Sequence, residues 1–204
     1  MNSRQNFSGT SDDAISVARA VVEAINGLQT VLTAVAARTA PGSYSGIEVG
    51  TGIPFLTFPI PLTADLVEID FTASPVTPGA DLWARFTQGG VVLAGATDYS
   101  WSNLRGATLT NNIGQPQFQI ATNLVNAASN LRFRLFRPNG SANRKTMSWD
   151  GFIMDNPSQL PVTISGGGRF NLNTTIPIDG VQFLYSTGGF NQTQFGTKYT
   201  QFST

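Results

Sequence analysis

Paired carboxylates are the first residues in this chain that could do chemistry. Two of them can run glycoside hydrolysis without histidine, one as acid and one as base or nucleophile. The candidate pairs are Asp81 with Asp98 and Asp150 with Asp155. The chain holds 12 Asp and Glu, so chance pairs are expected, and aspartates that cap turns are the favoured reading. Asp150, Asp155 and Asn156 could also ligate calcium, which takes carboxylates and loop carbonyls. No EF-hand-like spacing accompanies them, so no metal is expected. With no His and no Cys, the chain cannot build a His-dependent triad, a thiolate zinc site, a cysteine nucleophile or a disulfide.

Three other groups are candidates. Arg132, Arg134, Arg137, Arg144 and Lys145 form the only basic cluster. Its functional reading is an electrostatic seam to an acidic neighbour, and its plain reading is a solvated face paired with acids. Trp83, Trp101, Tyr99 and Tyr185 could stack on sugars if exposed, although aromatics in a sandwich are more often core. Gly166-Gly167-Gly168 is the tightest glycine run, but a phosphate loop needs a helix and a Lys-Ser/Thr after it. Arg169-Phe170-Asn171 reads as strand instead, so nucleotide binding is rejected. No cofactor and no enzymatic activity are expected.

The elements that position these residues are strands. Leu82, Ala84 and Phe86 alternate with Trp83, Arg85 and Thr87, the period of a strand with two different faces. Gly89-Gly90 suits a tight hairpin turn, after which Val91, Val92 and Leu93 return along the first strand. Val67, Ile69 and Phe71 alternate with Glu68 and Asp70, and Leu131, Phe133 and Leu135 with Arg132 and Arg134. Ile53–Leu62 is extended, its prolines favouring an edge strand. Further strands are expected over 104–110, 117–120, 145–154, 162–165, 181–185 and 194–200, with a turn at Arg137-Pro138-Asn139-Gly140. The fold predicted for residues 42–204 is an antiparallel β-sandwich or jelly roll. Pro41-Gly42 and the loop to Gly46 mark its boundary with the N-terminal region, residues 1–41.

That region reads as a polar leader followed by an α-helix over 11–38. Val17, Val21, Ala24, Leu28, Val31 and Val35 follow a three-four spacing, which other apolar residues widen. The stripe either packs on its own domain or, as favoured here, joins copies of the chain, most readily as a homotrimer. Asn26-Gly27 leaves open a kink or a helix-turn-helix. The leader, with Phe7 as its one large apolar anchor, is predicted to dock on another chain. Charged residues are only 12% of the 204, with 12 Lys and Arg balancing the acids. A neutral, charge-poor chain is not built to hold nucleic acid, and much of its surface is expected to be covered by partners. Arg19 and Glu23 in the first apolar run argue against a secretion signal and a membrane span.

Asp81, Leu82, Arg85, Phe86, Gly89, Gly90, Asp98, Tyr99 and Trp101 form the pattern D-L-x-x-R-F-x-x-G-G followed by a D-Y-x-W strand. This resembles a jelly-roll module of bacteriophage virion proteins. The ending, Ile178 to Tyr199, is similar to the closing strand, small-residue loop and final strand of such modules. The resemblance covers about 55–204 and leaves out the helix. It implies a structural or adhesive virion part: fibre, spike, baseplate component or capsid decoration. Its partners would be itself, other virion proteins and a host surface glycan.

Overall fold

A computed structural model describes residues 43–45, 52–62, 64–136, 138, 145–172 and 177–200. All of them belong to the unit that begins at Pro41. The expected helix with Val17, Val21, Ala24, Leu28, Val31 and Val35, the leader with Phe7, and Arg137 and Arg144 lie outside the described residues.

The described residues form strands β1 (Ser43–Ser45), β2 (Phe55–Pro59), β3 (Leu66–Pro75), β4 (Ala80–Gln88), β5 (Val91–Val92), β6 (Tyr99–Arg105), β7 (Thr108–Gln115), β8 (Phe118–Leu124), β9 (Ser129–Phe136), β10 (Thr146–Met154), β11 (Pro161–Phe170), β12 (Gly180–Tyr185) and β13 (Phe190–Thr200). The larger sheet runs β1-β13-β3-β9-β10-β11-β6-β7, and the smaller runs β2-β12-β4-β5 with β8 also on β4. Each strand pair is antiparallel. The architecture is therefore a mainly β antiparallel sandwich.

Alternation sets which face each strand buries. Val67, Ile69 and Phe71 on β3 are buried, as are Leu131, Phe133 and Leu135 on β9 and Leu82, Ala84 and Phe86 on β4. Their rings meet across the two sheets in two groups. Phe183 of the smaller sheet packs on Phe71 and Phe133 of the larger at 5.1 and 4.5 Å between centroids. Towards the other end, Phe118 meets Tyr99 at 4.6 Å and Trp149 at 6.0 Å, and Phe86 meets Tyr99 at 6.0 Å. Stacked, edge-on and tilted ring pairs of this kind add to the stabilisation given by burial alone.

Three local expectations change. Ser43–Ser45, read as loop, is a short strand whose residues pair with Lys198, Thr197 and Gly196 of β13. The run 104–110, read as one strand, is the end of β6, a turn at Gly106-Ala107 and the start of β7. Gly106 takes φ +56 there, a backbone that a side chain would strain. The triple glycine does not interrupt its strand either, because β11 runs through it. A Cβ on Gly166 would lie 2.5 Å from the Trp149 ring, and one on Gly168 would lie 2.6 Å from the Phe118 ring. Glycine here makes room for two core aromatics to lie against strand backbone.

Candidate functional site

Asp81, Leu82, Arg85, Phe86, Gly89 and Gly90 occupy β4 and its turn, while Asp98, Tyr99 and Trp101 open β6 in the other sheet. The turn glycines take φ +59 and +75, as a two-residue hairpin requires. Val91-Val92 pairs with Gln88-Thr87, and the Leu93 N–H still donates to the Phe86 carbonyl at 2.9 Å. The chain then crosses to the larger sheet. Asp98 holds that crossover by accepting from the Gly95 N–H at 2.7 Å. The Tyr99 hydroxyl closes it from inside, accepting from the Phe86 N–H at 2.9 Å and donating to the Leu93 carbonyl at 2.7 Å. Burial pushes this phenol well above its ordinary pKa.

The closing segment docks on the same unit. β12 pairs with β4 from Gly180 opposite Thr87 to Tyr185 opposite Leu82. At one end Asp179 accepts from the Thr87 hydroxyl at 2.6 Å and from the Gly90 N–H at 2.7 Å. At the other, the Asp81 N–H donates to the Ser186 hydroxyl and the Ser186 N–H donates to the Asp81 carbonyl, both at 2.9 Å. Sequence reading singled out these two segments separately and did not see that they form one clamp.

The candidate carboxylates all hold structure. Asp81 accepts from the Asn123 N–H at 2.9 Å and from the Gln119 amide at 3.2 Å. Asp150 accepts from Arg134 at 2.7 Å. Asp155 pairs with Arg105 and accepts from the Ser158 hydroxyl at 3.0 Å. Asn156 is bound to Asn123 at the same corner. Among the described residues, no group of three or more His, Cys, Asp or Glu is placed to hold a metal ion.

The arginines form a cross-strand ladder. Arg132 on β9 faces Asp70 on β3 at 2.8 Å, and Arg134 reaches Glu68 at 3.4 Å as well as Asp150 on β10. Asp70 holds the Arg132 guanidinium above its usual pKa, first by hydrogen bond and then by charge. Lys145 is buried at the foot of β10, where its carbonyl accepts from the Phe170 N–H at 2.8 Å. Arg132 and Arg134 are thus each matched by acids of the same chain. The aromatics mostly face inwards. Trp101, Tyr99 and Tyr185 are buried, because alternation on β6 and β12 turns them to the core. Trp83 alone of the four is half-buried, between Leu184 and Gln119 on the outer face of β4.

One cleft, which sequence reading missed, lies at the end of the larger sheet and has a volume of about 310 Å³. Thr72 and Ser74 of β3 form its floor. The loop Asn126–Ala128 makes one wall, and Asn191, Thr193 and Gln194 of β13 make the other. The β13 register shifts between Phe190 and Gln192, beside that wall. Asn191 donates across to Asn126 at 3.0 Å, and Thr72 donates to Asn130 at 2.5 Å. No lining residue is charged. Such walls offer amides and hydroxyls to a neutral, hydroxyl-rich ligand and no charged side chain to an ion. The legible signal was the density of Asn, Ser, Thr and Gln at two strand ends, which has no motif.

No family model matches the chain, and no curated protein matches it. Among solved structures it is similar to a tetrameric galectin from the ball sponge Cinachyrella sp., at 11% identity and a TM-score of 0.34, over 72% of this chain and 100% of that one. A Caenorhabditis elegans galectin aligns at 9% identity and 0.32, over 72% and 94%. A human SPRY domain aligns at 8% and 0.34, over 76% and 96%. Likeness this distant brings no function to the chain.

Proposed function

We propose that the protein is a non-enzymatic structural component of a bacteriophage virion, of the fibre, spike, baseplate or capsid-decoration type. Its N-terminal region attaches it to the particle and its jelly-roll-like sandwich is displayed. One observation carries this reading. The two segments that resemble phage virion modules form a single clamp, in which Asp81, Asp179, Ser186 and Tyr99 spend their polar groups on fixing the fold. Residues that could serve catalysis are used as framework, as suits a part selected for shape and assembly. The test is quantitative mass spectrometry of gradient-purified particles of a phage that encodes the chain. A fixed copy number per particle is expected; complete, infective particles without the chain would refute the reading.

The neutral cleft favours a second reading, in which the displayed sandwich also binds a host surface glycan. Asn126 and Gln194 would donate and accept hydrogen bonds with sugar hydroxyls, and the absence of charge among the lining residues suits an uncharged glycan. A glycan array is the check, with binding expected to fall in Asn126→Ala and Gln194→Ala. Binding to acidic glycans only, indifferent to both substitutions, would place recognition elsewhere.

A further inference from the structure

We infer that β7 is a docking edge for a second copy of this chain, two β7 strands pairing antiparallel about a twofold axis at Asn111. A free sheet edge presents unpaired backbone N–H and C=O groups, and proteins that stay apart guard such edges with Lys, Pro, short strands or covering loops. Among the described residues the other edges are guarded. β1 is three residues long and β5 two. β2 ends in Pro59 and is flanked by Pro54 and Pro61, and β8 is mostly buried. β7 has eight residues, TLTNNIGQ, with no charge and no proline within it, and not one of them is buried; its bulge and the following Pro116 guard only the end beyond Asn112, leaving 108–112 open.

Its side chains name the occupant. Leu109 and Ile113 are 62% and 84% exposed. By strand alternation they share one face with Asn111, beside Leu104 of β6, which pairs with Leu109. A twofold at Asn111 sets Asn111 against its own copy and Leu109 against Ile113 on either side. Apolar residues then meet apolar residues twice, an amide meets an amide, and no charge faces its own copy. Directly opposed apolar pairs are what stabilise an antiparallel strand pair, and an isologous contact needs this self-complementarity. The β6–β7 register shifts between Asn112 and Gln115, so Ile113 stands at the start of the bulge that Gly114, φ +65, completes. The pairing would join two eight-stranded sheets into one, whether or not the chain sits in a virion.

The absence of cysteine makes the test clean. In the full-length chain, Asn111→Cys places two thiols across the axis. Residues opposed in an antiparallel pair have Cα atoms roughly 4.5–5.5 Å apart, within disulfide range. Under mild oxidation this variant is expected to become a covalent dimer, while Ser165→Cys, exposed on β11 of the same sheet, stays monomeric on a non-reducing gel. Adding Ile113→Lys to Asn111→Cys should slow the cross-link by about tenfold or more, because two like charges then approach across the axis. Cross-linking of Asn111→Cys no faster than that of Ser165→Cys overturns the inference, and so does indifference to Ile113→Lys.

Discussion

At the scale of single residues, neighbours in sequence separate sharply by face. Phe86 is fully buried against Tyr99, Phe118 and Phe170, whereas Arg85 lies on the other face and donates to Gln117 at 2.6 and 3.1 Å. Phe86→Ala should therefore cost about 3–5 kcal/mol, and Arg85→Ala about 1 kcal/mol or less. Chemical denaturation of both variants checks this; equal losses would contradict the register. The buried phenols give a pH dependence of definite sign. Desolvation raises Tyr99 and Tyr185 well above the ordinary value near 10. Above that value the unfolded chain loses these protons while the folded chain keeps them, so stability is full below about pH 10 and falls as pH rises beyond it. Tyr185→Phe removes one such proton without removing a hydrogen bond, since its hydroxyl has no partner in the structure. Melting curves between about pH 9 and pH 11 should show a shallower decline for this variant than for the parent.

At the scale of elements, the clamp between β4 and β12 is the part most open to test. Asp179→Ala strands the Thr87 hydroxyl, which is 4% exposed, and frees the Gly90 turn. A loss of roughly 1–3 kcal/mol is expected, and a loss within error of zero would show that the contact is incidental. The arginine ladder is different: Arg132 and Asp70 are 48% and 64% exposed, so Arg132→Ala should cost less than about 1 kcal/mol. Strands whose two faces meet different environments were legible from alternation, as in β3, β4 and β9. What escaped was set by partners distant in sequence. β1 depends on β13, the glycines of β11 depend on the rings of Trp149 and Phe118, and the cleft depends on polar residues of β3, β13 and the loop Asn126–Ala128 that meet only in the fold. Trp101 and Tyr185, offered as sugar platforms only if exposed and read as more often core, are buried; which face an aromatic takes is fixed only once the opposing sheet is known.

At the scale of the whole molecule, the described sandwich pairs Arg105, Arg132 and Arg134 with its own acids and buries most of its aromatics, while β7 and the cleft present neutral polar and apolar residues. Phe55, Leu62, Val91, Ile113 and Phe136 are among the large apolar residues left exposed. The proposed virion role would have neighbours cover such residues. Apart from the β7 edge, the N-terminal stripe is proposed as a second means of self-association, most readily as a trimer. Light scattering on the isolated chain should give an oligomer whose mass falls on Val21→Asp. The most direct measurement for the central claim is a cryo-electron reconstruction of the particle that carries the chain. Symmetry-related densities should accept the two-sheet sandwich, with the Pro41 end turned towards the particle body. A reconstruction at side-chain resolution in which other chains account for every density would contradict it.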